Sequence, residues 1–570
     1  MPSSDVVHAY LFEAKGVQRY LFAGGRLRDA VGASDLVARI ALPTGDDLIG
    51  DVLGKLTLKI VEHISPGSKG SEVSFSRRAG AVFCLHCSNR DTLVAVRRTI
   101  RRRVMLALPG LEIADSLGAG ADEIASLKSA RDNAGGFRAN LAARVLPLGR
   151  PVMRIVPQTG LPGVASTGYG DKLDAIVAPQ RDRADELQKR MIAETDARSG
   201  RLSLDGAAER FHHDKPHRNL AIAYPRRFEL DDDESPDALK GNPLFPLRDR
   251  GAFLGRDSRI ALVHADVSGL GEGFARFESG SAKALLDKGN AIDAAILAAV
   301  KEANREVIRD HCEPDDYGRA IAPARPLVIG GDDMTFIVRA DLALCFTARL
   351  LVLIEKETKD MFGDGRPLSA CAGVAIVNCK LPFLTANALA ESLCKHAKKV
   401  AKTAPREPTR AWPSLLSFHV QTQTAEEDYA DDVLPTLKTP DGRWLTANPY
   451  AADKESAAAS KTLSFDTLTD LAKAIDALSG GFAAVRKIRG ELANGRLGVA
   501  RGLWRRLYAR AETQDALKVS LHAILGKDAT STDIPDSGAL FDALALIDLG
   551  ACAPPEPLLP EPLLVAEAQS

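Results

Sequence analysis

Arg325-Pro-Leu-Val-Ile-Gly-Gly-Asp-Asp-Met-Thr-Phe-Ile-Val-Arg339 sets two short apolar runs on either side of two glycines and two acids. Leu327, Val328 and Ile329 lead in; Met334, Phe336, Ile337 and Val338 lead out. Two β-like runs separated by Gly and Asp read as a hairpin with its turn at the acids. Gly330 and Gly331 remove side chains there, so a bulky group has room to approach the backbone. Asp332 and Asp333 repel each other unless a cation lies between them, and carboxylate oxygens suit Mg2+ or Mn2+. Taken alone, Gly-Gly-Asp-Asp is more readily a solvated hairpin tip than a metal site.

A further acid upstream changes that balance. Asp266 closes the strand-like run Ile260-Ala-Leu-Val-His-Ala-Asp266, and Val267-Ser-Gly-Leu-Gly-Glu-Gly-Phe274 leads on into a helix. Gly269, Gly271 and Gly273 fall between a strand end and a helix start, where unpaired N–H groups and the helix dipole favour phosphate. A glycine-rich turn is weak evidence by itself. Joined to Asp266 and to Asp332/Asp333 on a hairpin, it describes a two-metal phosphoryl-transfer site. In such a site one cation activates a 3′-hydroxyl and the other steadies a triphosphate.

The elements then run in a telling order: strand with Asp266, Gly-rich turn, helix, hairpin, a helix from Leu342 to Met361, the apolar strand Leu368–Val377, and a Lys-rich helix starting near Asn387. This resembles the palm domain of the polymerase/cyclase large subunit of type III CRISPR effector complexes, a relative of the GGDEF nucleotide cyclases. The match covers roughly residues 255 to 422. It implies ATP-dependent synthesis of cyclic oligonucleotides with Mg2+ or Mn2+, from ATP or other NTPs, in antiviral defence. The catalytic acids implied are Asp266, Asp332 and Asp333, with Val267 also among the metal-binding positions. Ser268, Gly269, Leu270, Gly271 and Gly273, with Gly330 and Gly331, are implied to border the triphosphate. In GGDEF-type enzymes a lysine of the corresponding helix contacts the triphosphate, and Lys398 or Lys399 matches that position; a surface lysine is the plainer alternative. One departure stands out: the family's first strand commonly ends D-x-D-G, and here Ser268 replaces the second acid.

The N-terminal part resembles a first palm of the same family. Val6–Phe12 reads as a strand, Gly16-Val-Gln as a turn, Leu27 to Ile40 as a helix, and Ser76–His86 as the matching hairpin. Its turn, Ala79-Gly80-Ala81, carries no acid, so this palm is expected to be degenerate and non-catalytic. Cys84, His86 and Cys87 suit zinc poorly, because on an alternating strand Cys87 points away from the other two. Arg97 to Arg103 holds five arginines in a helical pattern, read as a solvated face or a phosphate-backbone contact.

The fold expected is α+β: a degenerate first ferredoxin-like palm over 1–145, a linker over 146–252, a second palm with Gly-Gly-Asp-Asp over 253–422, a helical C-terminal domain over 423–549, and a Pro-rich disordered tail over 550–570. Within the linker Arg181–Thr195 reads as a polar helix, Phe211–His217 as a loop with a His-Asp pair, and Asp231–Glu234 as an acidic turn. The C-terminal helices are read from Phe465/Leu468/Leu471, Ile475/Leu478, Val499/Leu503/Leu507 and Leu521/Ile524. Lys plus Arg number 74 against 75 acids, so no bulk charge advertises nucleic acid or membrane. The 8 cysteines form no paired framework and no long apolar span occurs, which points to the cytoplasm. Partners expected are nucleoside triphosphates and defence-system proteins, with palm–palm pairing inside the chain or in a homodimer. A nucleotide-binding scaffold that does not turn over, holding proteins or guide RNA, is the alternative in another class, and a template-directed polymerase comes last.

Overall fold

The computed structural model describes residues 6–22, 47–139, 259–511 and 538–551 apart from short breaks, with a few isolated positions elsewhere. Gly331, the 181–195 helix, the 211–217 and 231–234 segments, Leu521/Ile524 and the tail beyond Ala551 lie outside the described residues, as does most of the 27–40 helix. The chain divides into two units, Met1–Leu220 with Phe277–Ala294, and Ala221–Arg276 with Ala295–Ser570. Among the described residues no helix is long and apolar enough to cross a membrane.

The first unit holds β1 (Val7–Lys15), α1 (Val17–Phe22), α2 (Leu48–Lys55), β2 (Lys59–Ile60), the hairpin β3 (Glu72–Ala79) and β4 (Val82–Cys87), α3 (Arg90–Ala107), β5 (Glu112–Gly120) and α4 (Glu123–Ala139). Its five-stranded sheet runs β2-β3-β4-β1-β5, with β1 antiparallel to both β4 and β5. The hairpin expected over 76–86 forms, with Ala79 opposite Val82. Gly16 enters α1 in the left-handed region at φ 58°. Aromatic packing fills the sheet: Phe12 stacks on Phe83 at 4.9 Å, and Tyr10 donates to the Asp115 carboxylate.

His86 shows why no zinc centre arises. Its two ring nitrogens are taken by Ser76 at 2.7 Å and Ser126 at 3.1 Å, and burial drops its pKa to about 4. Burial pushes the Cys84 thiol up to about 12, so it stays protonated, and both His86 nitrogens are already committed to serine hydroxyls. On α3, Arg97 and Arg101 reach Asp115 and Arg103 reaches Asp51, which ties three of the five arginines into the unit itself.

The second unit opens with β6 (Arg259–Ser268) and the short α5 (Leu270–Arg276). The long helix α6 (Ala282–Val307), which belongs to the first unit as far as Ala294, leads to the hairpin β7 (Ala324–Gly330) and β8 (Asp333–Arg339), then α7 (Ala343–Glu357), β9 (Ser369–Asn378), α8 (Phe383–Ala401), β10 (Leu415–Val420) and β11 (Tyr450–Ala451). The sheet runs β7-β8-β6-β9-β10-β11. Counting only the hairpin, the first strand and the strand that follows the hairpin, the order β7-β8-β6-β9 matches β3-β4-β1-β5 of the first unit, so each sheet contains a βαββαβ arrangement and the protein is of α+β class. The final strand β11 extends the sheet beyond β10, antiparallel to it.

β9 is the centre of this sheet, with every residue from Ser369 to Val377 buried, as its continuous apolar run predicts. Helix α8 covers it with Phe383, Ala386, Leu389, Ala390, Leu393, Cys394, Ala397 and Ala401, a stripe at spacings of three and four. Each fully buried Leu of such a stripe stabilises by about 1.5–3 kcal/mol. Gly373 lets the two backbones touch, since a Cβ there would lie 2.0 Å from the Ala390 carbonyl oxygen. The helix starts at Phe383, four residues earlier than the cap read at Asn387; Asn387 is instead a buried helical residue donating to Glu391.

Behind the sheet come α9 (Lys454–Ser460), α10 (Phe465–Ala477), α11 (Gly481–Ala493), α12 (Leu497–Ala511) and α13 (Ala539–Leu549). The stripe of α10 is buried as its periodicity predicts. On α12 the buried face is Ala500, Trp504, Leu507 and Tyr508; of the stripe Val499/Leu503/Leu507 only Leu507 is buried, Val499 being 52% exposed, because Trp504 carries the core.

Candidate functional site

The hairpin brings the acids to the sheet. Gly330 pairs with Asp333, leaving a two-residue turn, and the Val267 N–H donates to the Asp332 carbonyl at 2.8 Å, fastening the turn to β6. In the β6–β8 register Asp333 stands directly opposite Asp266, and across β6 Asp266 faces Cys371 of β9. Gly373, two residues beyond Cys371, abuts α8, so Cys371 and the residues in register with it, Asp266 and Asp333, share the α8 side of the sheet. Directly opposed antiparallel residues hold their Cβ atoms about 4.5–5.5 Å apart, and like charges so placed repel. Both side chains keep partial access to solvent, 33% for Asp266 and 42% for Asp333. Asp332 lies at the exposed turn.

Two further groups flank the pair. Lys398, one turn beyond Cys394 on α8, sets its Nζ 2.7 Å from Asp266 Oδ1. Burial opposes the charged ammonium, yet the hydrogen bond and charge of Asp266 outweigh it and raise the lysine pKa. Lys399 is exposed, so the structure separates two lysines that the sequence left equivalent. His264 precedes Asp266 by two residues, on the same face, with Nδ1 3.4 Å from Asp333 Oδ1. Burial lowers its pKa more strongly than nearby Glu391 and Asp266 raise it, so the ring is neutral at pH 7. The sequence reading missed His264, although its period-2 spacing from Asp266 was the available signal.

The glycine-rich turn is shorter than it reads. Gly269 alone takes the left-handed conformation, at φ 91°, and Leu270 already begins α5. Gly273 serves packing, since a Cβ there would sit 2.2 Å from the Phe362 ring, whereas Gly271 faces open space. Ser268 is buried at the end of β6, paired with Ser369. Apolar helix contacts, rather than a wide loop, thus account for one of the three glycines.

Among the described residues no group of three or more His, Cys, Asp or Glu is arranged to hold a metal ion. The structure brings together two of the three predicted acids. A facing pair of half-exposed carboxylates supplies hard oxygen donors of the kind Mg2+ or Mn2+ takes while keeping several waters, so the residues fit such an ion. In the first unit the equivalent register position is Glu13, opposite Val82, and Glu13 is ion-paired with Lys15 at 2.8 Å. One acid survives there where the second unit has two.

No family model matches the chain, and no curated protein matches it. Among solved structures, it is similar to that of a Csm1-Csm4 cassette in complex with one ATP, at 13% identity and a TM-score of 0.48, covering 96% of this chain and 70% of that one. The Csm1-Csm4 cassette in complex with cA3 gives 12% and 0.46, and Csm1 of T. onnurineus 12% and 0.45, with the same coverage. With every TM-score below 0.5, these likenesses leave the function to the chemistry of the site.

Proposed function

We propose that the second unit carries a ferredoxin-like palm over residues 253–422 that joins nucleoside triphosphates into cyclic nucleotides or oligonucleotides, a metal-dependent nucleotidyltransferase. The observation that carries this reading is Asp266 directly opposite Asp333, with Lys398 on the Asp266 carboxylate. Two like charges held face to face cost stability, and a divalent cation relieves that cost. A bound Mg2+ or Mn2+ supplies charge neutralisation for the triphosphate and lowers the pKa of the attacking hydroxyl.

The residues act as follows. Asp266 and Asp333 would hold the cation, with Asp332 at the turn available to a second. Lys398, hydrogen-bonded to Asp266, would offset the charge of that carboxylate and lie within reach of the triphosphate. The 3′-oxygen of one nucleotide attacks the α-phosphorus of the next, the α–β phosphoanhydride bond breaks, and pyrophosphate leaves with the electron pair. His264 holds Asp333 in place from below. The first unit, with Glu13 as its single acid at this position, is the degenerate palm and a support. The resemblance read in the sequence adds ATP as substrate and antiviral defence as setting.

Incubation with mixed NTPs and Mn2+, followed by mass spectrometry, should show cyclic products and pyrophosphate, both absent from Asp266→Asn/Asp333→Asn. Equal silence of wild type and variant would sink the enzyme reading. It would leave the non-catalytic nucleotide-binding scaffold, which Ser268 in place of a second acid favours.

A further inference from the structure

Between the far end of the β6 sheet and helices α11 and α13 lies a cavity of about 460 Å³. It lies within the second unit, and Arg259 on its wall is seven residues along β6 from Asp266, about 23 Å at the rise of a strand. It is therefore not the acid pair's site.

Its charges are unequally committed. Asp542 is buried, and its Oδ2 accepts from the Ala447 N–H at 2.7 Å and from the hydroxyls of Thr446 and Tyr450. Glu426 is engaged by His419 at 3.2 Å. Asp548 meets Arg259 only at 3.8 Å. Arg486 and Arg489 stand one helical turn apart on α11 and line the same cavity. Among the described residues Arg486 has no ion pair, and Arg489 acts on Asp542 only through its charge. Asp542 and Glu426 are thus spent on hydrogen bonds within the fold and Asp548 sits loosely against Arg259, while Arg486 and Arg489 line the same cavity.

We propose that this cavity is a second ligand site, which takes a small organic phosphate of mononucleotide size. The volume lies within the range of small-ligand pockets, about 300–1,000 Å³. Converging guanidiniums match a phosphate dianion, whose oxygens accept their paired N–H donors, better than a single carboxylate. Phe418, Phe482 and Phe541 line the same space and give a planar base an apolar wall to lie against.

The test is calorimetric titration of the full chain in EDTA with AMP, inorganic phosphate and adenosine. AMP should bind saturably, and more tightly than either fragment. Arg486→Ala/Arg489→Ala should weaken AMP by about tenfold or more, the loss of charge-assisted bonds. Its melting temperature should stay that of wild type, since Arg486 is exposed and Arg489 half-buried. Asp333→Asn should bind AMP as wild type does, which separates this site from the acid pair. Absent AMP binding, affinity unchanged in the arginine variant, affinity lost in Asp333→Asn, or inorganic phosphate binding as tightly as AMP would each overturn the proposal.

Discussion

Replacing Asp333 by Asn should make the metal-free protein more stable while removing its response to divalent ions. Asp266 and Asp333 face each other across one antiparallel pair. At about 5 Å and an effective dielectric constant of 20 to 80, two unit charges repel by about 1–3 kcal/mol. Both side chains are a third or more exposed, and Lys398 already offsets Asp266. Measured cross-strand effects of about 0.2–1 kcal/mol are therefore the better guide, and about 0.5 kcal/mol is expected. In a unit of this size that raises the melting temperature by about 1–2 °C. For wild type, Mn2+ at ten times its dissociation constant adds about 1.4 kcal/mol, or about 3–6 °C. Differential scanning calorimetry in EDTA and then with Mn2+ reads both. If Asp333→Asn melts lower than wild type in EDTA, or gains as much from Mn2+, the acids are not a strained cation site and the mechanism fails with them.

Other consequences follow from the same geometry. Lys398→Ala should raise KM for ATP by about tenfold or more, the loss of one charge-assisted contact, whereas Lys399→Ala should leave it within about twofold. Gly373→Ala drives a methyl group into the Ala390 carbonyl and the Cys394 amide, and should cost about 3 kcal/mol, read by urea unfolding, with activity falling as α8 and Lys398 shift together. Asp542, buried, has its pKa raised from 3.8 to about 6. A raised acid favours the fold when protonated, so its contribution is whole below pH 3.8 and is lost as pH rises through about 6. Measured against Asp542→Asn, wild type should lose about 3 kcal/mol across that window. A difference that does not change with pH would show that Asp542 titrates normally.

The strands and helices of the second unit were legible because local pattern and burial agree there. The continuous apolar run of β9, the Gly-Gly-Asp-Asp turn and the stripe of α10 each report on their own neighbourhood. Element ends were less legible. Asn387 has a capping side chain, but Phe383 and Ala386 add apolar contact on β9 that carries the helix a turn further back. Trp504 outweighed Val499 on α12 for the same reason, since the larger ring buries more surface.

The sequence by itself determined which residue types could do the chemistry: acids at a strand end and a tight turn, glycines beside them, lysines on a later helix. Only tertiary structure decided which of them meet. Register put Asp333 and not Asp332 opposite Asp266, and the close approach at Gly373 put Lys398 and not Lys399 on the carboxylate. A one-residue slip of a strand turns a side chain to the other face, and one helical step turns it through about 100°. Neighbours in sequence therefore have separate fates that depend on contacts 67 and 132 residues away.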